Sequence, residues 1–238
     1  MDKIGYFENL LKKTDIDYNE GSIKSFKKYK DLIIEWNKKI NITSIDSEEE
    51  IYLKHFIDSI IIKKYVIIKK GSKTIDVGTG GGFPGIPLKL IDNDMDITLV
   101  DSLNKRIKFL DEVVKELDLE DVECIHARAE ELGKNKKYRE KYDYGFSRAV
   151  ASLNVLLEYV LPFVKKGGLF IAFKGSNFKD EIQESKKALN LLGGEIIDIR
   201  EYKLPETDIS RSMIVVKKIN STPKKYPRKP GTPNKKPL

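Results

Sequence analysis

A single cysteine, Cys124, serves the whole chain. One thiol excludes an internal disulfide and fits a reducing compartment, so a cytoplasmic protein is expected. Cys124 falls in the strand-like run Val122-Glu-Cys-Ile-His126, where a buried structural thiol is expected. No apolar run approaches the roughly 18 residues of a membrane span. Residues 1–13 lack a signal-peptide core, and no membrane contact is expected. Internal repeats are missing too. The last 22 residues contain no acid but eight Lys or Arg. The chain has 44 Lys+Arg and 37 Asp+Glu, so without that tail 36 cations face 37 acids and the body is near neutral. Pro223, Pro227, Pro230, Pro233 and Pro237 argue against a helix there. The tail, residues 219–238, therefore reads as an extended basic arm that meets nucleic-acid phosphates, with Lys225, Arg228 and Lys229 as candidates.

What the chain does have is glycine in one place. Thr74-Ile-Asp-Val77 is a β-branched run that enters a cluster of Gly78, Gly80, Gly81, Gly82 and Gly85. An amphipathic run with Ile86, Leu88, Leu90 and Ile91 follows. Strand, glycine loop and helix in that order form the ligand-binding corner of an open α/β sheet. A dinucleotide motif G-x-G-x-x-G fits only as Gly80, Gly82 and Gly85, which starts late for a loop turning straight off its strand. Asp76, Gly78 and Gly80 read better as the D-x-G-x-G signature of S-adenosylmethionine (AdoMet) enzymes. Asp101 ends the next strand, about twenty residues on, where a carboxylate accepts hydrogen bonds from both hydroxyls of a ribose. Its alternative use is as N-cap of the helix starting near Asn104.

Strands are expected at about 74–77, 97–101, 122–126, 143–147, 168–173, 196–203 and 211–218. Helices are expected at about 85–92, 104–117, 130–133, 152–163 and 178–192. Such alternation argues a parallel sheet covered on both faces. The last two strands follow one another across only 205–210, so they form an antiparallel hairpin, the methyltransferase variant of the doubly wound fold. Residues 1–65 lack strand periodicity. In 22–40, Ile23, Phe26, Tyr29, Ile33, Trp36 and Ile40 recur every three or four residues, one apolar helical face. Ser47 and Glu50 form a capping box for a helix carrying His55, Asp58 and Ser59. The expected organisation is a helical extension over 1–65, an AdoMet-binding domain over 66–218 and the tail. A Rossmann-like, class I methyltransferase fold is expected, with a seven-stranded mostly parallel sheet.

Asn41-Ile-Thr43, His55-Phe-Ile-Asp58-Ser59, Asp76 to Pro87, Asp101-Ser-Leu-Asn-Lys-Arg106, Arg128-Ala-Glu130, Ser147-Arg-Ala149 and Tyr226-Pro-Arg-Lys-Pro-Gly-Thr-Pro233 together closely resemble the ribosomal RNA small-subunit methyltransferase G family, also called glucose-inhibited division protein B. The resemblance covers nearly the whole chain. It implies AdoMet-dependent methylation of guanine N7 at one site in the decoding-region loop of 16S rRNA, with the small ribosomal subunit as partner. It also implies AdoMet contacts from Gly78 and Phe83, from Ala129 and Glu130, and from Arg148. Gly80 joins them through the D-x-G-x-G signature, and Asp101 through strand-end geometry.

Two motifs that the chain lacks narrow the chemistry without the family. No Asn/Asp-Pro-Pro-aromatic run follows the fourth strand, where exocyclic-amine methyltransferases hold their acceptor; Ser147-Arg148-Ala149 stands there. No cysteine lies near the pocket for covalent attack on a pyrimidine. Arg148 is expected as the catalytic residue, with a salt bridge to Asp76 or Glu130 as its structural alternative. His55, Arg106 and Lys174 are candidates for the RNA side. A monomer is expected. A methyltransferase for small molecules or proteins, or a non-enzymatic RNA-binding factor, are the competing classes. Cutting the chain after Ile219 is expected to flatten the salt dependence of RNA binding and leave AdoMet affinity unchanged.

Overall fold

The computed structural model describes residues 3–148, 151–176 and 178–238. Ala149, which closes the Ser147-Arg-Ala149 motif, lies outside the described residues. The chain opens with helices α1 (Lys3–Thr14) and α2 (Glu20–Asn37). Asn19 starts α2 two residues earlier than the apolar pattern indicates: its side chain accepts from Ser22 N–H at 2.9 Å, and Ser22 Oγ answers the Asn19 N–H. The α2 residues Ile23, Phe26, Tyr29 and Ile33 are buried, each removing enough apolar surface to contribute roughly 1.5–3 kcal/mol. Most lysines of this helix face solvent, but Lys30 is buried and paired with Asp31 and Glu48.

A short α3 (Glu48–Glu50), capped by Ser47 Oγ, leads into a π-helical turn over Ile51–Ile57, then α4 (Asp58–Ile60). The regular helix expected here is thus a wider coil at His55, the kind of irregularity found preferentially at functional sites.

The sheet follows: β1 (Lys73–Val77), β2 (Asp96–Asp101), β3 (Val122–His126), β4 (Tyr142–Arg148), β5 (Val164–Lys174), β6 (Gly194–Lys203) and β7 (Ser210–Lys218). Their order is β3-β2-β1-β4-β5-β7-β6. The first five run parallel, whereas β7 is antiparallel to both β5 and β6. Between them lie α5 (Gly85–Ile91), α6 (Asn104–Glu116), α7 (Ala129–Leu132), α8 (Leu153–Val160), α9 (Phe178–Glu184) and α10 (Lys186–Leu192). One helix over 178–192 is expected from the pattern, but the chain breaks at Ser185. That buried side chain donates to the Glu181 carbonyl at 2.6 Å, a back-bond that bends helices.

The sheet separates two apolar cores. One joins α1, α2 and the π-turn to α5 and α6; the other lies under α8 and α10. Strand order reverses between β1 and β4, and the carboxyl ends of those strands frame the crevice in which α/β sheets hold ligands.

The tail is not an extended arm. Tyr226 and Pro227 are buried, and Thr232–Lys235 form a short helix, α11. The Arg139 guanidinium donates to the carbonyls of Thr222 (2.7 Å) and Tyr226 (2.9 Å). Proline and basic charge do disfavour a regular helix locally. What a local reading misses is that acids and an arginine from the sheet domain reach over to hold this segment.

Candidate active site

The glycine loop is built from above and below. Gly78 and Thr79 N–H donate to the Val100 carbonyl, which pins the loop to β2. Asp76, fully buried, accepts at Oδ2 from Thr79 Oγ1 (2.7 Å) and from Gly85 N–H (2.9 Å). It braces the loop from beneath and is not among the residues lining the cavity that the loop opens. Tyr29 of α2 donates to the Gly81 carbonyl. At Gly82, φ is +96°, and a Cβ would stand 2.6 Å from the Tyr29 hydroxyl, so glycine is required there. At Gly80, φ is +62°, but a Cβ would meet only open space.

That open space is a cavity of about 510 Å³, within the roughly 300–1,000 Å³ of small-molecule sites. Gly78, Gly80, Phe83, Asp101, Ala129, Glu130 and Arg148, all read from the sequence, border it together. His55 and Arg106 border it as well. Asp101 Oδ1 accepts from Leu103 N–H at 2.9 Å; Oδ2 accepts from Gly80 N–H at 2.9 Å and from Arg106 Nη1 at 3.3 Å. A carboxylate offers about four acceptor positions. Asp101 therefore has room for one ribose hydroxyl rather than the two expected, unless Arg106 yields. Leu103, not Asp101, stands at the N-cap of α6.

A second cavity, also about 510 Å³, lies at the tips of β4, β5 and β7 and shares His55 and Arg148 with the first. Arg148 therefore stands between the two. Its partner is neither Asp76 nor Glu130. Nη1 donates to the Lys54 carbonyl (3.1 Å), the His55 carbonyl (3.3 Å) and Asp58 Oδ2 (3.4 Å), and Nη2 donates to His55 Nδ1 (3.0 Å). Its Cζ lies 4.9 Å from the Phe83 ring centroid. The guanidinium carries five N–H groups, so Nε–H and one Nη2–H remain for a substrate. Asp58, buried, also accepts from Arg211 Nε (3.3 Å) and from Tyr202 O–H (3.2 Å). Asp58 is thus the hub of the arrangement.

A family model described as rRNA small subunit methyltransferase G matches residues 22–210. The chain belongs to the rRNA small subunit methyltransferase G family. A protein of that name from Acetivibrio thermocellus is 56% identical over 223 residues, covering 94% of this chain and 91% of that one. Another, from Alkaliphilus metalliredigens, is 53% identical over 220 residues and covers 92% of each chain. Among solved structures, a SAM-dependent O-methyltransferase from Thermotoga maritima superposes with a TM-score of 0.55 at 19% identity, covering 80% of this chain and 72% of that one, and shares the fold.

In this member of the methyltransferase G family the helical extension reaches into the site. Asn37 Oδ1 accepts from Ile42 and Thr43 N–H and sets the turn after α2. Thr43 Oγ1 then meets His55 Nε2 at 2.7 Å. A guanidinium only donates, so His55 Nδ1 is the acceptor and Nε2 carries the hydrogen toward Thr43. The imidazole stacks on Phe83 at 4.3 Å with 9° between planes. Burial first, then the Arg148 charge, lowers its pKa to about 3. His55 is therefore a neutral fixture, set as both acceptor and spacer. Burial raises Asp76 to about 7, with Thr79 and Gly85 opposing the shift. Burial also lowers the pKa of Arg148, with Asp58 opposing.

Other readings change. Arg106 reaches into the first cavity beside Asp101, and its buried Nε has no hydrogen-bond partner among the described residues. It stands in the wall of the first cavity, with its side chain 31% exposed. Lys174 borders the second cavity, half-buried, and is paired there with Glu181 (2.6 Å) and the Ala151 carbonyl (2.8 Å), so its charge is already neutralised. Arg228 grips the buried Glu158 with Nε and Nη2, at 2.6–3.0 Å. It is an anchor, not a free cation. Lys225 and Lys229 do face solvent. Cys124 is half-buried; burial and then Asp111 push its thiol up to about 12, which removes it as a nucleophile. The site residues missed from sequence are Asp58, Arg211, Gly231 and Asn234. Asp58 and Gly231 fall in stretches that carry the family resemblance, and Gly231 also stands between prolines; Arg211 and Asn234 left no local signal.

Among the described residues no helix is long and apolar enough to cross a membrane.

Proposed function

We propose that this protein transfers a methyl group from AdoMet to N7 of one guanine in the decoding-region loop of 16S rRNA, on the small ribosomal subunit, in the cytoplasm. The observation that carries this reading is the pair of cavities meeting at His55 and Arg148. Residues on one side suit a nucleoside: the open backbone at Gly80, the remaining acceptor position of Asp101, and the unpartnered Arg106 Nε. Residues on the other side suit a polyanion's base: Lys54 and Arg211 border it alongside Arg148.

When bound, AdoMet supplies a methyl group on a positively charged sulfur, which a ring nitrogen with a free lone pair accepts without a base. The protein's share of the work is then alignment, which in favourable cases contributes about 7–11 kcal/mol. The loop backbone and Asp101 hold the donor's nucleoside. Arg148 offers Nε–H and one Nη2–H to the guanine O6 edge. Its remaining bonds, to the two π-turn carbonyls, His55 and Asp58, keep it still. Neutral His55 adds no positive charge to the junction of the two cavities. The acceptor base enters splayed out of its stack.

The test is incubation of small subunits from a strain deleted for this gene, and from its parent, with methyl-labelled AdoMet and the purified protein, followed by mapping of the label. Label at a single guanine, recovered as 7-methylguanine and only from the deletion strain, is expected. Label on another base or on protein, or none, refutes the reading.

A further inference from the structure

The cavity that the glycine loop opens has a wall that no motif around β1 supplies. Gly231 and Asn234, thirteen and sixteen residues past the last strand, border it. Gly231 has φ +77° and donates its N–H to Glu130 Oε1 at 2.8 Å. Glu130 is buried and borders the same cavity from α7. The segment that brings Gly231 there is held at every stage. Thr222 N–H donates to Glu140 Oε1 at 2.8 Å. Arg139 collects tail carbonyls, and the buried Glu158 accepts from Arg228 through both its backbone N–H (2.7 Å) and its guanidinium. Charge-assisted bonds of this kind are about twice as strong as neutral ones. Three carboxylates of the sheet domain thus converge on a tail of twenty residues, six of them basic, and two of the three carboxylates are buried. A solubilising end or a free phosphate-seeking arm needs none of this.

We infer that the C-terminal segment from Thr222 to Asn234 is part of the AdoMet site itself. Gly231 fixes the Glu130 carboxylate in the direction that the ligand meets, and Asn234 adds a polar edge to the cavity wall. The segment is a binding element first. Its solvent-facing lysines, Lys225 and Lys229, then lie on the same strap as the cofactor wall, so cofactor binding and phosphate contact share one piece of chain. The inference rests on the reading that the first cavity takes AdoMet, and the test separates the two.

AdoMet affinity is measured by calorimetry on the full chain, on a chain ending at Lys229, and on Asn234→Ala. The shortened chain keeps Tyr226 and the Arg228–Glu158 pair, so the anchor stays while the wall goes. A loss of affinity of at least about tenfold is expected for it, and of about threefold to tenfold for Asn234→Ala, the worth of one hydrogen bond. Thermal unfolding of each form checks the fold; should the shortened chain unfold, Asn234→Ala, a change at an exposed side chain, decides. A full chain that binds AdoMet, with Asn234→Ala binding equally well and the shortened chain either equal or unfolded, overturns the inference. A full chain that does not bind AdoMet overturns the reading beneath it instead.

Discussion

Replacing Asp58 by asparagine keeps the shape of a buried side chain and removes its charge. The asparagine carbonyl can face Arg148 and Arg211 while its NH2 donates to the Tyr202 oxygen; the charge is lost, and the Tyr202 O–H gives up its acceptor. The cost follows from what remains around the two arginines. Removing one partner of a buried ion pair costs about 3–5 kcal/mol, because the other charge is left uncompensated. Arg211, at 28% side-chain exposure, can turn to water and recovers part of that. Arg148, at 10%, cannot, but it keeps two carbonyls and the His55 lone pair. A loss of about 2–4 kcal/mol is therefore expected, which for a chain of this size corresponds to a midpoint lower by about 5–15 °C. Urea titration at pH 7 measures the first and thermal unfolding the second. Methyl transfer to small subunits at saturating AdoMet should fall more than tenfold, since Arg148 is no longer held at the junction of the cavities. A variant within about 0.5 kcal/mol of the parent, with normal turnover, would show that Asp58 neither balances nor orients Arg148.

Two glycines of one loop, Gly80 and Gly82, separate stability from binding. Gly82→Ala brings a methyl within 2.6 Å of the Tyr29 hydroxyl and should cost about 1–3 kcal/mol of stability, read by urea titration. Gly80→Ala meets open space, so it should cost about 1 kcal/mol or less of stability and yet reduce AdoMet affinity by calorimetry; equal effects on both measurements refute the assignment. His55, held neutral to about 3, refuses a proton that the unfolded chain takes up below about pH 6.5, so its stability contribution is present above that pH and lost on acidification. Asp76, raised to about 7, works the other way: its contribution is full below about pH 4 and is lost as pH rises toward 7. Between about pH 6.5 and 4 the two oppose, so His55→Phe should gain stability relative to the parent on acidification, by up to about 1.4 kcal/mol per pH unit; parallel curves in urea refute this. The Lys225→Ala, Lys229→Ala double variant should lower the slope of log affinity for rRNA against log salt by about 1.4–1.8 and leave AdoMet binding in place; an unchanged slope removes both lysines from the RNA contact.

Some of this protein was settled within short stretches of chain. The glycine loop, the seven strands, their closing hairpin and the apolar face of α2 depend on period, on turn residues and on hydrogen bonds made a few positions apart, so they can be read residue by residue. Asp101 was legible from its strand end and Gly80 from the D-x-G-x-G signature, whereas Gly78, Phe83, Glu130 and Arg148 were reached through the family resemblance; in the fold all six border one cavity. Tertiary structure alone decided how each is used. Arg148 meets Asp58 across 90 positions, Gly231 meets Glu130 across 101, and Arg228 meets Glu158 across 70. A basic, proline-rich run looks the same in sequence whether its charges face solvent or are gripped by buried carboxylates. The difference is made by acids that only folding brings near, and by the cost of burying those acids unpaired. That is why an apparent arm became a wall of the site.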